Sequence, residues 1–239
     1  MKFKFNSNSY YLTIKPLPLV AFICALSILI SLSLWQVKRL KWKTQLINER
    51  VASFELDAIN FQDIKDPEKN EFRKVLVRGE LLNEYEMYMP ALSKRGNNGF
   101  HILVPIKTES NKFIIYNTGW IPLKKKNKEN RINNISLGLK TFEAVIRTSG
   151  RKGYFQPNND VDTNTWFFVE PSQMSDFIGM NLEENFYLEA FNNGPNGFPL
   201  GNQTRIYLRN NHLQYALTWL MIAMGLVGVC FFATIKKQN

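Results

Sequence analysis

The chain has 239 residues, a formal net charge of +10 and two cysteines. Both cysteines, Cys24 and Cys230, lie in long apolar segments, which excludes a disulfide framework or a CxxC metal site in the middle of the chain. The acidic residues fall between Glu49 and Glu189, and the excess of lysine and arginine flanks the apolar segments. This distribution indicates contact with anionic lipid headgroups, and we expect no nucleic-acid partner.

The first apolar segment, residues 16–37, contains no charged residue and follows an N-terminal tail of residues 1–15. At about 1.5 Å per residue, a helix of this length crosses a hydrocarbon core of about 30 Å. The segment is longer than the apolar part of a signal peptide and no clear cleavage site follows, so we expect a retained anchor. The spacing of Trp35 and Trp42 predicts that the helix continues over residues 38–53 at the headgroups.

The middle of the chain, residues 54–210, is rich in short β-branched and aromatic runs separated by turn sequences. We predict a short helix at 172–180 and strands at 72–82, 86–92, 99–108, 112–123, 139–149, 165–171, 185–191 and 204–210. The basic run 124–131 is predicted to be a solvated loop with no specific role. Strands at this spacing predict a mostly antiparallel domain that resembles a barrel or a sandwich.

The second apolar segment, residues 211–235, ends at a basic C-terminal tail, residues 236–239. Three pairs of small residues are expected to let the two helices pack closely, namely Ala21 with Ala25, Ser27 with Ser31, and Gly225 with Gly228. The predicted class is therefore an α+β membrane protein in which N-terminal and C-terminal transmembrane helices flank the β domain. Both termini then lie on one side of the membrane. The count of basic residues favours a cytoplasmic domain, but that rule weakens for so long a loop and leaves the orientation open.

Motifs of common enzyme classes are absent from the sequence. It contains no GxSxG elbow, no HExxH pair and no P-loop, and it has two histidines. We therefore assign no catalytic residue, and a membrane hydrolase is disfavoured. The pattern is typical of a membrane-anchored binding or assembly protein, and we expect no enzymatic activity.

The stretch RNNHLQYALTW, residues 209–219, places His212 at the mouth of the second span. Helical spacing puts Tyr215 and Trp219 on the same face as His212, and strand alternation puts Arg205 and Arg209 on one side just before it. Neutral imidazole is a common axial ligand of haem iron, and arginine pairs well with carboxylates such as the propionates of haem. These residues therefore fit a haem site at the membrane surface.

An interfacial role for the same residues is the more frequent alternative. The histidine would then cap the helix or meet a lipid headgroup, and the two arginines would bind lipid phosphates. The second histidine, His101, lies in the predicted strand GFHILVPI. We expect it to be hydrogen-bonded inside the domain, and the alternative is a second axial ligand.

Several sequence blocks, in order from residue 34 to residue 219, resemble the surfeit locus protein 1 family. The blocks are WQVKRLKWKTQLI (35–47), VRGEL (77–81), NGFHILVP (98–105), NTGWIP (117–122), YFQPNND (154–160) with Trp166, and GNQTRIYLRNNHLQYALTW (201–219). The last block is the most specific. Ser33, Thr118 and Glu170 depart from the family pattern, so we carry no function onto Thr118.

The resemblance implies a role in the assembly of cytochrome c oxidase. It also implies binding of haem a, with His212 as the iron ligand. From the chemistry of the neighbouring residues, we expect Arg205 and Arg209 to hold the propionates and Tyr215 and Trp219 to flank the ring. The expected partners are the oxidase core subunit, the lipid bilayer and a haem a synthase. A membrane scaffold that stabilises an oxidase subunit without binding haem is the alternative function.

The resemblance also implies an orientation and a location. The termini would lie in the cytoplasm or matrix and the β domain in the periplasm or intermembrane space. No obvious organelle transit peptide precedes the first span, so we expect the inner (plasma) membrane of a bacterial cell. The mitochondrial inner membrane is the alternative.

Overall fold

The computed structural model describes residues 2–5, 8–12 and 15–237. Parts of the two predicted tails, namely residues 1, 6–7, 13–14 and 238–239, lie outside the described residues. The chain forms two compact units. The helical unit comprises Met1–Asn48 and Leu208–Asn239, and the β unit comprises Glu49–Tyr207.

The described part of the chain contains three α-helices and ten strands, besides short 3-10 helices. The helices are α1 (Pro16–Glu55), α2 (Pro171–Ile178) and α3 (His212–Thr234). The strands are β1 (Lys2–Phe5), β2 (Asn8–Leu12), β3 (Ile59–Asn60), β4 (Lys74–Leu81), β5 (Met87–Leu92), β6 (Asn98–Thr108), β7 (Phe113–Pro122), β8 (Lys140–Thr148), β9 (Phe186–Ala190) and β10 (Ile235–Lys237).

The helical unit contains two helices, α1 and α3, that are long and apolar enough to cross a membrane. Helix α1 has 40 residues and continues without a break beyond the apolar segment, through the basic stretch. There the guanidinium of Arg39 lies 4.4 Å from the centre of the Trp42 ring, one helical turn further on. This cation–π contact accounts for part of the continuity, because it is made between side chains three residues apart on one helix face.

Small side chains bring α1 and α3 together. Ala216 and Ala223 are 4% and 3% exposed, and Ser33 Oγ donates a hydrogen bond of 3.0 Å to the carbonyl of Ala216. Around Gly225 and Gly228, by contrast, the described residues place no atom within 4 Å of where a Cβ would lie. The prediction of close packing at these two glycines is therefore wrong, because the helices approach at Ser33 and at the alanines.

The two ends of the helical unit meet in a three-stranded sheet. Strand β2, which precedes α1, pairs antiparallel with β1 and with β10, which follows α3. The backbone register aligns Ile235 with Leu12. The chain therefore enters α1 and leaves α3 at the same end of the helix pair, as two antiparallel spans require.

The β unit is built on a seven-stranded sheet in the order β3-β4-β8-β9-β7-β6-β5. The pairs β3–β4 and β7–β9 are parallel and the others are antiparallel. Strand β4 also pairs with β6, at Gly79–Leu81, so the sheet curls on itself. A mostly antiparallel, sandwich-like β domain flanked by two candidate transmembrane helices confirms the predicted fold class.

Two apolar cores lie on the two faces of this sheet. In β4 the alternation of side chains buries Val75, Val77 and Leu81, and these join the first core together with side chains of β6 to β9. The second core surrounds Trp166, which is fully buried, and includes Met174 of α2. The helix predicted at 172–180 is present as α2 and covers this face.

Two of the predicted strands are absent. Residues 165–171 make only isolated bridges at Thr165, and their aromatic character reflects the burial of Trp166 in the second core. Residues 204–210 have the expected alternation, with Ile206 buried and Tyr207 76% exposed, but no strand pairs with them. Both predictions are wrong because a segment can pack its apolar side chains on a core without forming hydrogen bonds to a neighbouring strand.

The basic run 124–131 forms two 3-10 turns and is more than a solvated loop. The ammonium group of Lys126 lies 4.8 Å from the centre of the Phe100 ring. Arg131 is 4% exposed and forms an ion pair with the buried Glu86. The prediction that this run has no specific role is therefore wrong, because a buried ion pair fixes it to the sheet.

Candidate functional site

The first residue of α3, His212, is paired with Gln36 of α1. His212 Nδ1 lies 2.7 Å from Gln36 Oε1. Gln36 is 8% exposed, although it lies in an otherwise exposed helix, and His212 is half-buried. In the tautomer in which Nδ1 donates to this carboxamide oxygen, the lone pair of the ring is on Nε2.

The second ring nitrogen, Nε2, makes no hydrogen bond within the part of the chain that the structure describes. Histidines that bind metals commonly do so through one ring nitrogen while the other donates to an acceptor that fixes the ring. His212 has this arrangement. It is therefore free to coordinate a metal or to accept a hydrogen bond through Nε2.

A site for a bare metal ion is not formed around His212. Among the described residues, no group of three or more His, Cys, Asp or Glu side chains is arranged to hold a metal ion. A metal bound at Nε2 would have to bring its other ligands with it. Haem iron does so, because the macrocycle supplies four of its ligands.

The turn before α3 is organised by asparagine side chains. Asn210 Nδ2 donates to Thr44 Oγ1 at 3.2 Å. The side-chain oxygen of Asn211, in the amide orientation that satisfies its hydrogen bonds, accepts from Nε and Nη2 of Arg209, both at 2.9 Å. Asn211 occupies the N-cap position of α3 but makes no capping bond with its side chain. It instead fixes the guanidinium of Arg209 beside the start of the helix.

Two aromatic side chains follow His212 along α3. Tyr215 is 54% exposed, and Trp219 is half-buried. At 3.6 residues per turn they stand about one and two turns after the histidine. The structure thus brings together four of the predicted site residues, Arg209, His212, Tyr215 and Trp219, at the start of one helix. This stretch of chain carries two aromatic rings, one guanidinium and one imidazole nitrogen that makes no hydrogen bond with the described residues.

The other two predicted site residues, Arg205 and His101, belong to the β unit. Arg205 is exposed. His101 lies in β6, and its Nδ1 is 3.1 Å from Oδ1 of the buried Asn117. Burial lowers the pKa of His101 below its ordinary value of 6.5, and the nearby Glu189 opposes this shift only in part. The histidine is therefore held neutral inside the domain.

A buried charged cluster on β8 and β9 was not found from the sequence. Arg147 Nη1 lies 3.3 Å from both carboxylate oxygens of Glu189, and Tyr187 Oη donates to Glu189 Oε1 at 3.0 Å. The hydroxyl of Thr204 donates to the same carboxylate. Burial disfavours the charged form of Arg147, but Glu189 and Glu71 outweigh it and the pKa of Arg147 lies above its ordinary value. Single charged residues in separate strands have no spacing that would reveal such a cluster.

Gln36 was also missed as a site residue. Its signal in the sequence is weak but real, because it is a strongly polar side chain inside a run without charges. A polar residue within a membrane segment generally needs a partner, and the partner here is His212.

The matches to known proteins cover the helices and the β unit together. The SURF1 family pattern matches residues 23–224. Surfeit locus protein 1 of Takifugu rubripes is 30% identical over 224 residues, which are 86% of this chain and 92% of the fish protein. The SURF1-like protein of Rickettsia conorii is 30% identical over 85% of each chain, and Surfeit locus protein 1 of Mus musculus is 30% identical over 79% of this chain and 66% of its own. The chain therefore belongs to the SURF1 family.

Proposed function

We propose that this protein is an assembly factor for cytochrome c oxidase that receives haem a at His212 and helps its insertion into the oxidase core subunit. The SURF1 family is known for oxidase assembly factors, which supports the first part. The hydrogen bond between His212 and Gln36 carries the second part, because it leaves Nε2 as the nitrogen with a free lone pair.

Haem a is the cargo in this proposal, and the residues at the start of α3 fit its chemistry. The iron needs a nitrogen ligand, which His212 offers through Nε2. The macrocycle needs apolar and aromatic contacts, which Tyr215 and Trp219 offer from the same helix. A propionate needs a cation, and Arg209 is held by Asn211 at the N-cap of α3. The roles that the sequence suggests for Arg205 and His101 stay predictions.

The proposed location is the inner (plasma) membrane of a bacterium, with both termini in the cytoplasm and the β unit in the periplasm. The pairing of β2 with β10 supports termini on a common side. The oxidase core subunit and a haem a synthase are the proposed partners in the same bilayer. We assign the protein no enzymatic step, since its part would be to bind, orient and release the haem.

The visible spectrum of the purified full-length chain tests the haem part of the proposal. The chain is produced in a host that makes haem a, purified in mild detergent, and reduced-minus-oxidised bands are recorded. We expect a haem a band in the wild type and its loss in His212→Ala. Gln36→Leu removes the acceptor for Nδ1 and should weaken haem binding about 10-fold or more, as loss of a hydrogen-bond partner behind a metal ligand generally does.

The matched control is Gln214→Leu, the same change at an exposed position two residues after His212. It should retain the haem a band. An unchanged band in His212→Ala would refute the ligand role. A wild type that stays colourless after exposure to haem, and still co-purifies with an oxidase subunit, would favour the scaffold function.

One observation in the β unit favours that scaffold function. Tyr154 and Phe155 are each 94% exposed, with ring centroids 4.9 Å apart. A hydrogen-bonded turn holds them outward, because Gln156 N donates to the Gly153 carbonyl and Gly153 N donates back to Gln156 Oε1. Two fully exposed aromatic rings on an ordered turn are typical of a contact point for another protein.

A further inference from the structure

A cavity of about 290 Å³ lies beside the first core of the β unit. Its apolar wall includes Leu81 of β4, Ile102 of β6 and Tyr116 of β7. Phe142 of β8 completes this wall, with its ring centroid 5.4 Å from that of Tyr116. Protein ligand pockets span about 300–1,000 Å³, so this cavity suits a single ring-sized group.

The hydroxyl of Tyr116 is the unexplained polar group in this wall. Tyr116 is 3% exposed, and its hydroxyl makes no hydrogen bond with any residue that the structure describes. Described polar atoms that are sealed from solvent and unpaired are Arg50 Nε, Arg147 Nε and Asn210 Oδ1. The Tyr116 hydroxyl is not among them, so it is not sealed, and Tyr116 lines the cavity. A hydroxyl in this position can donate a hydrogen bond to a group bound in the cavity or accept one from it.

The charged groups of the cavity favour a neutral occupant. Arg131 Nη1 donates to Glu86 Oε1 at 3.0 Å and Nη2 donates to Oε2, so these two charges already satisfy each other. Glu143, the remaining charged side chain of the lining, disfavours an anion. Asn192 and Asn193 add carboxamides to the lining. Asn192 Nδ2 donates to Glu143 Oε2 and Asn193 Oδ1 accepts from Gly201 N, so Asn192 Oδ1 and Asn193 Nδ2 are the atoms that could pair with a peptide group.

We propose that this cavity binds a neutral phenol-type ring, whose hydroxyl pairs with Tyr116 and whose ring packs on Ile102 and Phe142. An aromatic ring suits the site better than an aliphatic alcohol, because it adds an edge contact with Phe142. A tyrosine side chain of a partner polypeptide and a free small phenol present this same chemistry. The site lies in the β unit alone, and it does not depend on whether the protein binds haem.

The test titrates the full-length chain in mild detergent with p-cresol and with N-acetyl-L-tyrosinamide, followed by saturation-transfer NMR. Protein-free micelles correct for probe that dissolves in the detergent. We expect the wild type to bind both probes. Tyr116→Phe keeps the ring but removes the hydroxyl, and it should weaken binding roughly fivefold to tenfold, the loss expected for one hydrogen bond. The matched control is Tyr207→Phe, at a ring that is 76% exposed, and it should bind as the wild type does.

The two probes also distinguish the two sources of the ring. Tighter binding of N-acetyl-L-tyrosinamide supports a tyrosine of a polypeptide, since only this probe carries peptide groups. Tighter binding of p-cresol supports a free phenol. Equal affinities of wild type and Tyr116→Phe for both probes would overturn the proposal.

A second measurement uses the wild type alone, so that it does not depend on the folding of a variant. Nuclear Overhauser effects are recorded between the ring protons of either probe and the methyl groups of Leu81 and Ile102. We expect them at saturating probe. Their absence would also overturn the proposal.

Discussion

Asn117 joins the neighbouring strands β6 and β7 through its side chain. Its Oδ1 lies 3.1 Å from His101 Nδ1 and accepts a bond of 3.0 Å from the backbone N–H of Gly119. Gly119 has a φ of +118°, and a Cβ there would lie 2.2 Å from the carbonyl oxygen of Leu200. The blocks NGFHILVP and NTGWIP are therefore required by the fold itself, because a buried acceptor and close backbone contacts leave little choice of residue.

The close packing around Gly99 predicts the effect of adding a single Cβ atom there. A Cβ at this position would lie 2.1 Å from the carbonyl oxygen of Ile121 and 2.6 Å from the ring of Trp120. Gly99→Ala must therefore push β6 and β7 apart, and we expect it to lower the free energy of unfolding of the β unit by about 2–4 kcal/mol. Urea unfolding followed by near-ultraviolet circular dichroism measures this loss, because Trp120 contributes to the signal.

The control for this substitution is Gly153→Ala. There the nearest atom to an added Cβ is Gln156 Oε1 at 3.3 Å, at the far end of a flexible side chain. We expect its effect to remain within about 0.5 kcal/mol. Equal stability of Gly99→Ala and wild type would show that the two strands tolerate the contact, and our account of this block would then be wrong.

At the scale of whole elements, α1 and α3 are joined by few polar contacts, so each can be tested alone. Ser33 Oγ donates to the Ala216 carbonyl at 3.0 Å. We expect Ser33→Ala to lower the free energy of separating the two helices by about 0.6 kcal/mol, the mean for hydrogen bonds between membrane helices. Steric trapping of the full-length chain in micelles measures this energy.

Ser31→Ala is the matched change on an exposed part of the same helix. It removes a hydroxyl two residues away that does not contact α3 through a hydrogen bond in the described part of the chain. We expect no measurable loss. If both variants lose the same energy, the effect belongs to helix propensity or to lipid contact, and the bond to Ala216 contributes nothing of its own.

The strands were predictable where apolar alternation and strand pairing coincide. The predictions at 72–82, 99–108 and 185–191 correspond to β4, β6 and β9 within a few residues. They fail at 165–171 and 204–210, where residues alternate or are aromatic because they cover a core without pairing. The local sequence pattern predicts which side chains are buried. It does not predict whether another strand lies beside the segment and pairs with it.

Of the two residues that pair in the candidate site, His212 could be predicted from the sequence and Gln36 could not. His212 stands out because it is one of two histidines and lies at the mouth of an apolar segment. Its partner Gln36 is far away in the sequence and has no spacing relation to it. The cavity at Tyr116 could not be predicted either, because its lining residues are far apart in the sequence. A hydroxyl without a hydrogen bond is recognised only when the neighbours of the ring are known.

At the scale of the whole molecule, the β unit buries a group whose charge depends on pH. Burial holds the pKa of His101 below its ordinary value of 6.5, and Arg205 acts in the same direction. The unfolded chain then binds a proton at a higher pH than the folded one. Stability is therefore full above about pH 6.5 and falls as the pH drops below it, until the folded histidine is itself protonated.

We expect the free energy of unfolding of the β unit to decrease between about pH 7 and pH 5 in the wild type. His101→Gln keeps a donor for Asn117 but cannot be protonated, so this part of the decrease should disappear. Urea unfolding at each pH, followed by near-ultraviolet circular dichroism, measures this decrease.

The control, His212→Gln, removes the other histidine of the chain and should keep the decrease. Asp66 and Asp160 do not interfere, because their pKa values lie below the ordinary 3.8. If the free energy of unfolding still decreases to the same extent in His101→Gln, another group causes the pH dependence. His101 would then not contribute to it.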